Sequence, residues 1–124
     1  MCIRDRYDGK PFDDIRLVVK DGVIVDCKSN NQIALENILN TDEGSRRFGE
    51  FAIGTNPHIE KPMYDILFDE KIGGSIHMAI GQSYLQAGGK NESTVHWDMI
   101  SDMQDGGEII ADGELIYKNG RFLI

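Results

Sequence analysis

The chain has 124 residues, of which 40% are hydrophobic, so it can form one hydrophobic core and its length favours a single domain. Its net charge of −8 at pH 7 argues against binding to nucleic acids or anionic membranes, because both require a basic surface. Two cysteines, no apolar run of the roughly 20 residues that span a membrane, and no signal peptide predict a cytoplasmic protein without a disulfide framework.

The first six residues, Met1–Arg6, have no periodicity that joins them to the sequence that follows. We interpret them as an artefactual or non-native start, and we expect residues 7–124 to be a fragment of a larger protein. The first structural signal comes from Asp14–Lys20 and Val23–Lys28, which are rich in β-branched residues and flank an Asp21-Gly22 pair. This pattern predicts a β-hairpin.

One helical segment and several short strands are predicted in the rest of the chain. The spacing of Ile33, Leu35, Ile38 and Leu39 predicts an amphipathic helix of about ten residues that starts near Ser29–Asn31, whose side chains are good caps. The remaining strand-like segments are Phe48–Gly54, Ser75–Gly81, Ser93–Ile100, Glu108–Ala111, Glu114–Lys118 and Arg121–Ile124. Because strands joined by very short turns must be antiparallel, we predict an α+β fold, predominantly antiparallel β with one or two short helices.

Most side chains suited to chemistry lie between Leu67 and Asp98. Side chains alternate between the two faces of a strand. In the predicted strand Ser93–Ile100, His96 and Asp98 therefore project to one face, and Val95 and Trp97 project to the other. An imidazole and a carboxylate two residues apart on one face can bind a single ion.

The first strand of this stretch also has one open face. His77 shares that face with Ala79 and Gly81, whose small size leaves room beside the imidazole. The apolar residues that alternate with these, from Ile76 to Ile80, project to the other face and suit a hydrophobic core. The sequence therefore predicts a strand with one polar and uncluttered face.

Five side chains offer the nitrogen and oxygen donors that ions such as zinc or cobalt accept: Glu50, Glu70, His77, His96 and Asp98. An iron site with two histidines and one carboxylate is disfavoured, since its second histidine commonly follows the His-x-Asp pair and here none does. His58, in a proline-containing loop, is interpreted as a surface residue. Three further acidic residues are interpreted as solvated, the first of them also placed to steady a ligand residue: Asp69, Glu92 and Asp102.

Three sequence blocks, Gly49–Pro57, Leu67–Tyr84 and Gly88–Asp98, resemble the metal-dependent aminopeptidases typified by aminopeptidase T and aminopeptidase S. The blocks occur in the family's order, and the similarity extends from about Tyr7 to the end of the chain. Trp97 in the His-x-Asp pair and a longer gap after the Phe-Asp-Glu block indicate a divergent branch. The resemblance implies that the family's metal ligands correspond to Glu50, Glu70, His77, His96 and Asp98.

The resemblance also implies a mechanism. Two divalent ions, either zinc, cobalt or magnesium, hold a water that attacks the first peptide bond of a substrate with a free amino terminus. Glu50 or Glu70 either bridges the ions or takes the proton, and Tyr84 either binds metal or donates to the oxyanion. We treat Glu50 and Tyr84 as the catalytic candidates, and the family suggests a homodimer.

Two parts of the family's pattern are expected upstream of this chain: a further metal-binding glutamate and an N-terminal α/β domain. We therefore expect residues 7–124 alone to bind divalent metal weakly and to cleave aminoacyl substrates slowly, if at all. The alternative hypothesis is a non-catalytic β-rich interaction module. That alternative predicts no metal and no clustering of the five ligand-type residues.

Overall fold

A computed structural model describes residues 5–7, 9–63 and 65–124. Within these ranges the chain forms short β-strands, two α-helices and two 3-10 turns, and all the strands pair antiparallel. The predicted α+β fold with predominantly antiparallel strands is confirmed. No helix in this part of the chain is long and apolar enough to cross a membrane.

The strands form four small sheets in the described ranges. Two of them are hairpins, β1 (Asp5–Tyr7) with β2 (Lys10–Phe12) and β3 (Arg16–Lys20) with β4 (Val23–Lys28). The other two have three strands each: β5 (Phe48–Ile53), β6 (Ser75–Gly81) and β7 (His96–Asp102) in the central sheet, and β8 (Glu108–Ala111), β9 (Glu114–Lys118) and β10 (Arg121–Phe122) in a C-terminal meander. Strand β1 includes Asp5 and Arg6, which belong to the start that we interpreted as non-native.

The three predicted two-residue turns close hairpins, as expected. Asp21-Gly22 joins β3 to β4, Asp112-Gly113 joins β8 to β9, and Asn119-Gly120 joins β9 to β10. Both residues of each turn have positive φ, between 48° and 85°. This is the conformation of a type I′ turn, which matches the twist of the strands and favours Asn or Asp followed by Gly.

Helix α1 (Gln32–Leu39) buries Leu35 and Leu39 on the face that the periodicity predicts. It is two residues shorter than expected, and the predicted side-chain cap is absent, because the Asn31 side chain makes no capping hydrogen bond. Ser29 instead forms the hydrogen bonds at the start of the helix. Its backbone N–H donates to the Gln32 side chain at 3.0 Å, and its hydroxyl accepts from the Asn31 N–H at 3.1 Å. A second short helix, α2 (Ile66–Asp69), lies between β5 and β6.

The core lies on one face of the central sheet. Trp97 on β7 is buried and packs between two aromatic rings, with centroids 5.1 Å from Tyr7 and 4.8 Å from Phe12. Ile80 on β6 and Val95 join the same cluster with the buried residues of α1. The first hairpin and the helix therefore cover one side of the sheet, and the other side carries the candidate site.

One carboxylate ties the connector after α1 to the segment before β7. Asp42 Oδ1 accepts hydrogen bonds from the Ser45 N–H at 2.9 Å and the Ser93 hydroxyl at 2.7 Å. Its Oδ2 accepts from the Thr94 N–H at 2.8 Å and the Thr94 hydroxyl at 3.0 Å. Because Ser93 and Thr94 bind this carboxylate, β7 begins at His96 and not at Ser93 as predicted.

Asp42→Asn should destabilise the fold at neutral pH and matter less in acid. The pKa of the Asp42 carboxyl lies below its ordinary value. The main cause is the hydrogen bond from the Thr94 N–H, and the next is the hydrogen bond from the Ser93 hydroxyl. A pKa that is lower in the folded state contributes stability above the unfolded value of about 3.9, and this contribution is lost progressively as the pH falls below it. Urea midpoints of wild type and variant should therefore differ more at about pH 7 than at about pH 3.

The exposed carboxylate Asp105 provides the control for this experiment. Asp105→Asn should leave the urea midpoint unchanged at both pH values, since surface substitutions usually have small effects. Equal urea midpoints for wild type and Asp42→Asn at neutral pH would show that the carboxylate does not stabilise the contact between the connector after α1 and the segment before β7.

Candidate metal centre

The three strands of the central sheet place acidic and imidazole side chains side by side. In the pairing register, Glu50 on β5 lies opposite Ala79 on β6, and Ala79 lies opposite Asp98 on β7. His77 is two residues before Ala79 on β6, so it projects from the same face. The face opposite the core therefore presents two carboxylates and an imidazole from three adjacent strands.

The ligand-type atoms of these side chains converge. One atom from each of Glu50, His77 and Asp98 lies within 4.8 Å of the other two. The Glu50 Oε1 is 3.0 Å from the His77 Nε2. His96, from the same face of β7, has its Nε2 3.4 Å from the Asp98 Oδ2.

Each histidine is oriented by a backbone carbonyl. The His77 Nδ1 lies 3.2 Å from the carbonyl oxygen of Glu70, and the His96 Nδ1 lies 2.8 Å from the carbonyl oxygen of Gln82. Since a carbonyl can only accept, each Nδ1 is placed to donate a hydrogen to it. The Nε2 of both rings is left facing the carboxylates, which is the arrangement that metal-binding histidines commonly use.

Small residues form the floor of this cluster, as the sequence predicted. Ala79 is completely buried between Glu50 and Asp98, so it supports the cluster without filling it. Gly81 has a φ of +92°, and a Cβ there would lie 1.9 Å from the carbonyl oxygen of Val95. Only glycine fits at this crossing without displacing β7.

The charges around Asp98 are concentrated in a partly buried space. Burial raises the pKa of the Asp98 carboxyl, and His96 opposes this shift. The negative charges of Glu50 and Glu70 raise it further, whereas His77 lowers it. Like-charged carboxylates held together in a desolvated site are stabilised by a cation, so the electrostatics favour a bound positive ion.

Glu70 stands apart from the three-residue cluster. Its carboxylate pairs with the Lys71 ammonium, and its backbone carbonyl accepts from His77. Its negative charge nevertheless acts on Asp98. The side chain is partly exposed and directly follows α2.

Tyr84 lies at the rim of the site. Its ring is edge-on to the His96 ring, with centroids 6.3 Å apart, and its side chain is 60% exposed. The residue directly precedes the 3-10 turn Leu85–Ala87. An exposed phenol next to a ligand-type histidine can contact a molecule that enters from solvent.

The other acidic and histidine predictions have mixed outcomes. His58 is exposed, in agreement with the prediction, and so are Glu92 and Asp102. Asp69 is buried, which corrects the expectation that it is solvated. Its carboxylate accepts the Met63 N–H at 2.8 Å and so fastens the loop before α2.

Sequence reasoning did not assign a role to Gly49 or Asn91. Gly49 sits at a register shift between Phe48 and Glu50, and a glycine inside a strand signals such a bulge or a close backbone approach. Asn91 bonds to two carbonyls that are distant in sequence, those of Gly44 and Gly81. No local pattern could have revealed that contact.

The family model described as Thermophilic metalloprotease (M29) matches residues 5–122. The chain belongs to this family. Aminopeptidase 2 of Geobacillus stearothermophilus is 32% identical over 94% of the chain and 33% of its own length. Aminopeptidase AmpS of Bacillus subtilis (strain 168) is 34% identical over the same shares. The resemblance seen in the sequence is confirmed.

A solved structure supports the assignment. Wild-type AmpT from Thermus thermophilus superposes with a TM-score of 0.70 and 25% identity, over 99% of this chain and 36% of that one. The chain thus spans about a third of the length of the curated relatives it matches. The activity of the whole protein is therefore a matter for proposal.

The donor set fits the divalent metal that membership of a metalloprotease family implies. Glu50, Asp98 and His77 offer carboxylate oxygens and an imidazole nitrogen within 4.8 Å of one another. Carboxylate and imidazole donors suit zinc and cobalt, and the carboxylates also suit magnesium. The non-catalytic alternative predicted no clustering of these residues, and this geometry does not favour it.

Proposed function

We propose that this chain forms the metal-binding part of an aminopeptidase that releases amino-terminal residues from peptides. The single observation that carries the proposal is the convergence of Glu50, His77 and Asp98 in a chain of the M29 family. The M29 relatives named above are called aminopeptidases. Peptides with a free amino terminus are the proposed substrates.

The proposed metal ligands are Glu50, Glu70, His77, His96 and Asp98. Two divalent ions, of zinc, cobalt or magnesium, would polarise the scissile carbonyl and make a nucleophilic water available near neutral pH. The carbonyls of Glu70 and Gln82 hold the Nε2 of each histidine towards the site. This orientation of the two rings is what supports the imidazoles as ligands.

We assign the proton transfer to a carboxylate on β5. Glu50 is partly exposed and lies 3.0 Å from His77, so it reaches both the cluster and entering solvent. A carboxylate in this position can take a proton and return it to the leaving amine. Glu70 is proposed as a ligand instead, since a rotation away from Lys71 would release its carboxylate.

Tyr84 is proposed to act on the substrate. Its exposed ring stands beside His96 at the rim of the cluster, so its hydroxyl can donate a hydrogen bond to an oxyanion that develops on the substrate carbonyl. Tyr84→Phe tests this assignment, because it removes only the hydroxyl.

The activity is proposed for the natural protein that carries these residues, because the relatives are about three times as long as the matched segment. Residues 7–124 alone are proposed to be weakly active. A homodimer and a cytoplasmic location complete the proposal; the acidic composition supports a protein that does not bind nucleic acid or anionic membranes.

In the full-length natural protein, chelation should abolish hydrolysis of an amino-acid nitroanilide, and adding back zinc, cobalt or magnesium should restore it. The reason is that the proposed nucleophilic water depends on a bound cation to be available near neutral pH. The measurement compares turnover before chelation, after it and after each addition. An amino-terminally acetylated peptide is the control substrate and should not be cleaved.

Two outcomes would contradict the proposal. Full turnover after exhaustive chelation would show that the peptidase reaction needs no metal. Equal cleavage of the free and acetylated peptides would show that the enzyme does not act at a free amino terminus.

A further inference from the structure

The carbonyl oxygen of Gln82 connects the site to the protein around it. It accepts from the His96 Nδ1 at 2.8 Å, and this bond determines which ring nitrogen of His96 faces Asp98. The Gln82 N–H itself donates to the Val95 carbonyl at 2.7 Å, next to His96 in the chain. The position of one peptide group therefore controls the tautomer of a proposed ligand.

Gly49 leaves space for this carbonyl. A Cβ at position 49 would lie 2.5 Å from the Gln82 carbonyl oxygen and 2.6 Å from that of Gly81. Gly49 also directly precedes Glu50, at the bulge in β5. Because Gly49 has no side chain, β5, which carries Glu50, can lie close to the Gln82 carbonyl that orients His96.

Asn91 holds the same segment from the other side. Its side-chain amide donates to the Gly81 carbonyl at 2.6 Å and to the Gly44 carbonyl at 2.9 Å. Its own carbonyl accepts from the N–H of Ser83 at 3.0 Å and from the Ser83 hydroxyl at 2.9 Å. Asn91 therefore fixes the residues immediately before and after Gln82.

We propose that Gly49 and Asn91 are positioning residues for His96, acting through the Gln82 carbonyl. This rests on the proposed function only in treating His96 as a ligand. Neither residue is itself a proposed ligand. Each keeps the carbonyl where it accepts from Nδ1, so that Nε2 stays available to a metal.

The test uses the 15N chemical shifts of the histidine rings in the metal-free protein at about pH 8, where ordinary imidazoles are neutral. In wild type, His96 should be the Nδ1–H tautomer. Gly49→Ala should push the Gln82 carbonyl away, and Asn91→Leu should release it, so that His96 shifts towards the Nε2–H tautomer in both. Zinc affinity, measured by chelator competition, should fall about tenfold, the lower end of the effect of such supporting residues.

Gly107→Ala is the matched control for a crowded glycine. A Cβ there would lie 2.6 Å from the Met103 Cα, which is beyond the opposite end of β7 from His96. Asn40→Ala, which removes a 2.7 Å bond from Arg46, is the control for a lost asparagine contact. Both controls should cost stability but leave the His96 tautomer and the zinc affinity unchanged.

An Nε2–H tautomer of His96 in wild type would overturn the proposal without any variant, even if Gly49→Ala does not fold. So would an unchanged tautomer in folded Asn91→Leu. A tautomer shift confined to His96, with the His77 ring unaffected, supports it. The measurement is made without substrate, so an inactive protein with the expected tautomers would refute the peptidase function and leave this inference standing.

Discussion

In the full-length natural protein, Asp98→Ala is expected to remove most peptidase activity and to weaken metal binding by at least about 100-fold, the upper limit for residues that only support a ligand. The carboxylate is partly buried, lies with Glu50 and His77, and is the partner of His96, so its removal affects every donor nearby. His96→Ala should act in the same direction. Metal per protomer and turnover of an amino-acid nitroanilide measure the two effects.

Trp97→Phe is the control, because it alters the residue between the two ligands on the opposite face of β7. The indole packs against Tyr7 and Phe12, so the variant should lower the free energy of unfolding by about 1–3 kcal/mol. Metal content and turnover should remain near those of wild type. Full activity in Asp98→Ala or His96→Ala would refute the ligand assignment.

Leu35→Ala should have the largest effect on stability. Leu35 is completely buried in the core that packs under the central sheet, so its truncation leaves a cavity as well as losing buried surface. The expected loss is about 2–5 kcal/mol in the free energy of unfolding. Urea unfolding followed by circular dichroism measures it.

The same helix supplies a control. Ile33 is 75% exposed, so Ile33→Ala should change the free energy of unfolding by no more than about 0.5 kcal/mol. A similar loss in both variants would mean that α1 does not pack as described. A loss confined to Leu35→Ala would confirm the buried face of the helix.

Local patterns predicted the parts of the fold that local physics determines. The Asp-Gly and Asn-Gly pairs close type I′ turns because glycine adopts the required positive φ at no steric cost and Asp and Asn tolerate it. The alternation along β7 likewise separates His96 and Asp98 from Trp97, because side chains on a strand must alternate. These features needed no information from distant residues.

The rest depends on contacts between distant segments. Glu50 and His77 lie 27 positions apart, and their 3.0 Å approach follows from the pairing of β5 with β6 and the bulge at Gly49. Asp69 is buried and its carboxylate accepts from the Met63 N–H, a contact that no local pattern predicts. Chemistry-bearing residues could be named from the sequence, but their distances could not.

The division between hairpins and central sheet has a consequence for folding order. The hairpins β3–β4, β8–β9 and β9–β10 join neighbouring residues, and such units form within about 1–10 μs. The sheet that carries Glu50, His77 and Asp98 forms only after the loops between its strands close, which is slower because distant contacts must first overcome chain entropy. A divalent ion that binds the completed sheet but not the open chain would shift the equilibrium towards the folded state as its concentration rises. For this chain, metal supply would therefore influence how much of the protein is folded.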